Sequence, residues 1–189
     1  MTYLLLFFVG AFGWTLAEYL THRFSGHGKN ARSNFAKEHL QHHALVDYFA
    51  PPVKKAAMAV PSLAVLATVS CVGLGTSSGA VFTAGFLTTY IGYEILHKRL
   101  HTHGPSGPWG RHLRRHHFAH HFDDARLNHG VTSAFWDRVF GTYAPAKQLR
   151  VPAHRAPVWL RPDEDRALSA ELSRDYTLVA SRKKGASAG

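Results

Sequence analysis

The chain has 189 residues, enough for one domain, and its 22 basic and 12 acidic residues give a formal net charge of +10. The single cysteine, Cys71, excludes an intrachain disulfide and a thiolate metal site within one chain. The charge does not indicate a nucleic-acid binder, because residues 1–22 and 56–97 contain no Lys or Arg. Basic segments between long uncharged stretches are typical of loops that flank membrane spans.

Residues 2–19 are almost wholly apolar and predict a first transmembrane helix. No basic segment precedes them and histidines follow at once, so we expect a retained helix and not a cleaved signal peptide. Glu18 lies one helical turn before His22. Its carboxylate could orient the His22 imidazole, or it could simply mark the end of the span, and the sequence leaves both readings open.

Residues 56–94 predict a membrane hairpin, with a span of roughly 17–19 residues on each side of a glycine-rich break at 73–79. Basic residues flank the hairpin but are missing from the break, which places the break outside the cytoplasm. A shorter helix is expected over 36–46, before Pro51 and Pro52. We therefore predict an all-α integral membrane protein with about three transmembrane helices and a cytoplasmic helical cap.

The remaining segments suggest a division of the chain at residue 145. Residues 1–145 are expected to form the membrane-embedded domain, which includes a helix beginning near Trp109 and a short amphipathic helix within 128–143. Residues 146–189 are rich in proline and charge and predict a polar tail. We expect this tail to be partly disordered, above all in its last segment, SRKKGASAG.

Four groups of histidines carry the chemical signal. Two groups have the spacing H-x-x-H-H, and helix positions i, i+3 and i+4 lie on one face, a geometry that can hold a metal ion. The other two groups are pairs. Ten imidazoles exceed the four ligands of one tetrahedral ion and argue for two metal ions. The predicted ligands are His22, His27, His39, His42, His43, His97, His101, His117, His120 and His121.

A lone histidine is more often a surface residue than a ligand, but the predicted topology returns all four groups to the cytoplasmic side, which favours a shared site. Neutral imidazole binds iron, zinc, copper or nickel, so such a site suits oxygen activation or hydrolysis. His116 is expected to face away from the ligands, and the role of His129 is open. Loop positions are predicted for His103, His112 and His154.

The stretches WTLAEYLTHRFSGH, EHLQHH, HKRLH and LRRHHFAHHF, followed by NHGVTSAFWDRVFGT, resemble the fatty acid hydroxylase / sterol desaturase superfamily of membrane di-metal oxygenases over roughly residues 14–143. The G-V-T-S…F-W-D…F-G-T ending looks most like the fatty acid 2-hydroxylase branch. The resemblance implies an O2-dependent hydroxylase of lipid acyl chains at the membrane surface. It also implies two iron ions held by the ten histidines, with zinc as a substitute in a purified protein.

The resemblance further implies a lipid substrate and a separate electron donor of the cytochrome b5 or ferredoxin type, since we expect no haem-binding domain in this chain. The sequence departs from the family at His129, where an aromatic residue is usual, and in having one apolar helix before the first histidines where the family has two. From position alone, Tyr90, Tyr93, Trp109 and Phe118 are expected near the substrate.

Two other classes of function compete with acyl hydroxylation. Carotenoid ring hydroxylation and sterol desaturation or methyl oxidation are related activities of the same superfamily. A membrane metal-binding or transport protein is a different class, but residues 56–93 contain no acidic, basic or histidine side chain to carry an ion across.

Overall fold

The chain is mostly helical in this computed structural model, as predicted. The structure describes residues 1–28, 32–161 and 168–180. Its helices are α1 Thr2–Leu20, α2 Asn34–Ala44, α3 Pro52–Leu74, α4 Thr76–Thr102, α5 Gly107–Phe122, α6 Phe135–Val139 and α7 Ala170–Asp175. The prediction did not include the π-helical turn at Thr21–Gly26, the strands β1 Leu149–Pro152 and β2 Tyr176–Val179, the 3₁₀ turns Ala153–Arg155 and Val158–Leu160, or α7. The disorder predicted for SRKKGASAG concerns residues 181–189, which lie outside the described residues.

Local signals set where the helices begin and end. The Ser33 hydroxyl accepts a hydrogen bond from the Ala36 amide at 3.1 Å and starts α2. Pro52 occupies the first turn of α3, where its missing N–H has no intrahelical partner to lose. The predicted glycine-rich break shrinks to Gly75, whose φ of 83° favours glycine. Both arms of the hairpin are therefore longer than predicted, at 23 and 27 residues.

Helix α4 lies between α1 and α3. It runs antiparallel to α3, because Lys55 contacts Glu94 while Ser70 hydrogen bonds with Thr83 at 2.9 Å. Gly10 and Gly85 let the backbones of α1 and α4 approach so closely that a Cβ at either position would clash with a carbonyl of the other helix. Trp14 of α1 packs on Tyr93 of α4, with ring centroids 5.4 Å apart, so these two helices run in the same direction. The last turns of α1 and α4 and the first turn of α3 therefore meet at one end of the bundle, where the histidines follow.

The long helices expose apolar side chains, as expected for a surface in lipid. Val65 and Val69 of α3 are 64% and 65% exposed. By length and composition, two segments of the described chain could cross a membrane, Thr2–Gly26 and Pro52–Leu74. Helix α4, which we predicted as a third span, does not meet the same criterion, because Thr, Ser and Gly are frequent in it and its last turns are polar.

The described parts of the segment after residue 145 pack against α5. Strands β1 and β2 pair in parallel, with Leu149 opposite Tyr176. Their buried side chains share a core with Phe118 of α5. Asp175 completes the attachment by accepting two hydrogen bonds from Arg111, at 2.5 and 2.7 Å.

The close contact of α1 and α4 predicts different effects of the same substitution at two glycines of α4. Gly85→Ala should destabilise the bundle by about 1–3 kcal/mol, because the new methyl group would overlap the Phe7 carbonyl. Gly92→Ala should be neutral or stabilising by roughly 0.5–1 kcal/mol, since nothing lies within 4 Å of a Cβ there. Thermal unfolding in detergent micelles measures both, and equal melting temperatures would contradict the packing described.

Candidate metal centre

The ten predicted histidines converge in two clusters of five. Within each cluster, one ring nitrogen from every histidine lies within 4.8 Å of the others. Cluster A contains His22, His27, His39, His43 and His120. Cluster B contains His42, His97, His101, His117 and His121. The sequence predicted which histidines meet, although it did not predict how they divide.

Each H-x-x-H-H group serves both clusters. In α2, His39 and His43 point to cluster A and His42 to cluster B. In α5 the assignment is reversed, with one histidine, His120, in cluster A and two, His117 and His121, in cluster B. The expectation that three rings of one group share one ion is therefore corrected. Residues i and i+4 stay together, whereas residue i+3, about 60° around the helix from i, faces the neighbouring cluster.

The π-helical turn explains the spacing of His22 and His27. Five residues rotate an α-helix by about 140° beyond a full turn, which would point the two rings apart. The wider i→i+5 turn at Thr21–Gly26 brings them together instead, with ring centroids 5.3 Å apart. Gly26 in the same turn leaves room for His39, whose Cδ2 would lie 2.8 Å from an added Cβ.

The Nε2 atoms face the centre of each cluster. In cluster A, His27 Nε2 lies 2.8 Å from His39 Nε2 and 2.9 Å from His120 Nε2. In cluster B, His101 Nε2 lies 2.8 Å from His117 Nε2. Within the described part of the chain, the buried Nε2 atoms of His22, His42, His97 and His121 have no hydrogen-bond partner.

Backbone carbonyls orient several of the rings from behind. Nδ1–H of His42 donates to the Tyr48 carbonyl at 2.7 Å, and Nδ1–H of His120 donates to the Leu127 carbonyl at 2.7 Å. His22 Nδ1–H donates to the His129 carbonyl at 2.5 Å. These bonds fix the proton on Nδ1 and leave the Nε2 lone pair directed at the cluster.

The histidines outside the membrane-spanning helices are held in the neutral form. Burial lowers the pKa of His42 from its usual 6.5 to about 4, although its bond to the Tyr48 carbonyl acts in the opposite direction. Burial lowers the pKa of His27 to about 4 as well. For His117, His120 and His121, burial and neighbouring imidazoles keep the pKa well below 6.5. Neutral imidazole is the form that binds a metal ion.

Two buried carboxylates fix the loop that supports His22. Asp137 accepts hydrogen bonds from the amides of His129 and Gly130, both at 2.8 Å. Glu18 accepts from the amides of Val131 and Thr132, at 2.5 and 3.0 Å. Four consecutive N–H groups are thus bound by two side chains.

This arrangement supports neither of the two roles considered for Glu18. Its carboxylate is buried, so it does not mark an interface, and among the described residues its hydrogen bonds go to the loop and not to the His22 ring. The His129 carbonyl takes the orienting role. Asp137 is a residue that the sequence analysis missed as a supporting group, although a lone acid inside the apolar FWDRVF segment is the signal that could have found it.

The histidines outside the ten lie outside the clusters. His116 points away from the ligands, as predicted, and its Nε2–H donates to Asp137 at 3.0 Å. His129 is buried beside cluster A, with its ring centroid 5.2 Å from that of His120. His103 and His154 are exposed, and the exposed His112 lies within α5 and not in a loop.

A cavity of about 220 Å³ touches both clusters. His22 and His39 of cluster A and His42 and His97 of cluster B are part of its lining. The rest of the lining is largely apolar and comes from α1, α2, α3, α4 and residues 49–50. Its charged residues are Glu18, Glu38, Lys55 and Glu94. Of the four residues expected near a substrate, Tyr90 and Tyr93 line this cavity, whereas Trp109 is 64% exposed and Phe118 lies in the core beneath β1 and β2.

The residues present fit two metal ions. Buried and half-buried rings direct their nitrogens to two points, four of the buried Nε2 atoms lack a hydrogen-bond partner, and the donor set within the described residues is entirely imidazole. Nitrogen ligands suit iron, zinc, copper and nickel. The fold and the paired clusters thus define a helical membrane protein with a two-centre histidine site beside an apolar cavity.

Comparison with known proteins agrees with this class. A family model described as fatty acid hydroxylase matches residues 7–142. The ceramide very long chain fatty acid hydroxylase SCS7 of Saccharomyces cerevisiae is 37% identical over 77% of this chain and 40% of its own length. The dihydroceramide fatty acyl 2-hydroxylase FAH2 of Arabidopsis thaliana is 33% identical over 70% of this chain and 58% of its own length. The fatty acid 2-hydroxylase of Homo sapiens is 33% identical over 75% of this chain and 40% of its own length.

A solved structure of full-length scs7p, in which only the hydroxylase domain is visible, matches with a TM-score of 0.63 and 34% identity, over 77% of this chain and 58% of that one. The chain spans between 40% and 62% of the length of the curated relatives it matches. The chain belongs to the fatty acid hydroxylase family, so the resemblance noted in the sequence is confirmed.

Replacing the Asp137 carboxylate should weaken cluster A through the loop. In Asp137→Asn, one amide N–H₂ would face backbone donors, and we expect a loss of about 1–3 kcal/mol in stability together with a lower metal content. Thermal unfolding and elemental analysis of the purified protein measure the two effects. The exposed Asp123→Asn is the matched control and should change neither.

The lowered histidine pKa values predict that the metal-free chain loses stability as the pH falls. Between pH 6.5 and about 4, the unfolded chain binds protons at His27 and His42 that the folded chain does not bind, so unfolding becomes easier with acidification. Melting temperatures at pH 7.5, 6.5 and 5.5 should fall in that order. Added Co²⁺ should raise the melting temperature at each of these pH values without removing the fall, because it stabilises the folded chain while the unfolded chain still binds the protons. A melting temperature independent of pH would contradict the burial of these rings.

Proposed function

We propose that this chain is an O2-dependent hydroxylase of fatty acyl chains that acts at carbon 2, next to the acyl carbonyl. The observation that carries this proposal is that histidines of both clusters line one cavity together with apolar side chains and four charged residues. Carbon 2 is the position where a polar head and an apolar chain meet. The relatives named as fatty acid and fatty acyl 2-hydroxylases support the same reaction.

Cluster A would hold one iron ion and cluster B a second, with the ten histidines as ligands. When bound, the iron ions would supply the activation of O2 that is needed to hydroxylate an unactivated C–H bond. Zinc would occupy the same imidazole sites in a purified protein. The electrons would come from a separate donor protein of the cytochrome b5 or ferredoxin type.

The side chains of the cavity bind and orient the substrate in this proposal. Met58 and Leu63 of α3 and Trp14 of α1 offer an apolar wall for the acyl chain and keep water from the reacting carbon. Lys55 and Glu94 form an ion pair at the charged end, where an acyl carbonyl finds hydrogen-bonding groups. The acyl chain of the substrate would thus lie along the helices, with its polar end toward the histidines.

The proposed topology has three spans, α1, α3 and α4, with the clusters in a cap on the cytoplasmic side. The antiparallel packing of α3 and α4 supports it, as do the basic residues beside the hairpin at Lys54, Lys55, Lys98 and Arg99. We also propose that residues 1–145 are the membrane-embedded catalytic unit. Residues 146–189 would then be an appended segment whose described parts pack on α5.

The reaction is tested by expressing the chain and a His120→Ala/His121→Ala variant in a host supplied with iron. The variant removes one ligand from each cluster. Fatty acids released from total lipid are analysed by mass spectrometry for the gain of one oxygen atom and its position. We expect a 2-hydroxy acid from the unmodified chain and at least a hundredfold less from the variant, a change of about 2.7 kcal/mol in the barrier.

A His103→Ala/His154→Ala variant is the matched control, because it also removes two histidines but both are exposed. It should produce the 2-hydroxy acid at the normal level. An oxygen gain found only in the carotenoid or sterol extract would replace the acyl substrate with one of those lipids. Equal product from all three chains would assign the reaction to the host and refute the proposal.

A further inference from the structure

The part of the chain that lies beyond the family match reaches both histidine clusters. We name residues 149–161 the C-terminal strap; it comprises β1 and the two 3₁₀ turns that follow. The strap crosses the ends of α2 and α4 and packs on α5. Those three helices carry eight of the ten clustered histidines.

Arg155 of the strap holds the end of α2. Its guanidinium donates to the carbonyl of His43, which is one of the last carbonyls of the helix and has no partner within it. A cation at this position is also favoured by the helix dipole. The guanidinium lies 5.3 Å from the ring of Phe122, the residue after His121, which limits the directions in which it can move.

Trp159 of the strap holds the end of α4. Its indole N–H donates to the His101 carbonyl at 2.9 Å, in the last turn of that helix. Arg114 of α5 donates to the Leu100 carbonyl at 3.0 Å and lies 5.2 Å from the Trp159 ring. These carbonyls at the end of α4 have no partner within the helix. They are bound instead by the side chains of Trp159 and Arg114, which also pack on each other.

The strap itself is fixed in place. Leu149, Val151, Ala156 and Leu160 are at most 2% exposed and share a core with Phe118 and Ala119 of α5. Truncating one large side chain in such a core lowers the free energy of unfolding by about 2–5 kcal/mol. The strap is therefore held firmly enough to resist movement of the helix ends.

We infer that the C-terminal strap is a component of the metal centre, in which Arg155 positions His43 for cluster A and Trp159 positions His101 for cluster B. This inference rests on the metal binding of the proposed function. Both residues act on the backbone of a ligand from outside the cluster, so they are positioning residues and not ligands. Groups that orient a metal ligand change metal affinity by about 10–100-fold when they are removed.

Two backgrounds separate the clusters in the full-length protein. His97→Ala impairs cluster B and leaves cluster A intact, and His22→Ala does the reverse. The purified, metal-free proteins in detergent micelles are titrated with Co²⁺, whose visible absorption reports both affinity and coordination geometry. Arg155→Met and Trp159→Phe keep most of the side-chain volume and remove the hydrogen bond to the carbonyl.

We expect Arg155→Met to weaken Co²⁺ binding about tenfold in the His97→Ala background and to leave the His22→Ala background within about twofold. Trp159→Phe should show the opposite selectivity. The sign of the Arg155 effect is informative, because removing a nearby positive charge by itself favours a cation. Arg155→Lys keeps the charge and a donor and should restore part of the affinity, and the exposed Arg150→Met is the control within the strap.

Equal Co²⁺ affinities in all variants would refute the inference. An equal loss of affinity at both clusters, accompanied by a lower melting temperature, would also refute it. Neither outcome would affect the proposed function. Failure of the unmodified chain to bind Co²⁺ at either cluster would overturn the proposed function and the inference with it.

Discussion

The structure depends on keeping ten imidazoles neutral and oriented in a small volume away from water. A buried ring nitrogen that lacks a partner costs about 1–3 kcal/mol, so a hydrogen bond behind a ring and a ligand in front of it both stabilise the arrangement. Backbone carbonyls supply the partners behind His22, His42 and His120. The carboxylates of Glu18 and Asp137 hold the loop that carries the His129 carbonyl. Trp159 in turn holds the end of α4.

The spacing of the histidines made their meeting at one site predictable. It did not predict the division into two clusters or the π-helical turn. The spacing of the four groups identified the rings that meet, and the charge pattern indicated that they meet at one end of the bundle. The division into two clusters depends on how α2 and α5 are rotated about their axes, which is set by tertiary packing. The π-helical turn at Thr21–Gly26 was not predictable either, since no local signal marks the change from the α-helix before it.

The supporting groups were harder to find because their partners are distant in the sequence. Glu18 binds amides 113 and 114 residues away, and Trp159 binds a carbonyl 58 residues away. The strands β1 and β2 have four residues each and pair with each other. Both lie in the segment whose composition predicts a polar tail. Short strands of this kind are stabilised by the helix beneath them and not by their own sequence.

The adjacent pairs His42–His43 and His120–His121 have a mechanical consequence. Within each pair, neighbouring residues serve different clusters, so the two centres are joined by single peptide units whose Cα atoms are about 3.8 Å apart. A small rotation of α2 or α5 would displace a ring at both centres at once. The two centres are therefore coupled through the orientation of these two helices, so a rotation that improves the ring geometry at one centre also moves a ring of the other.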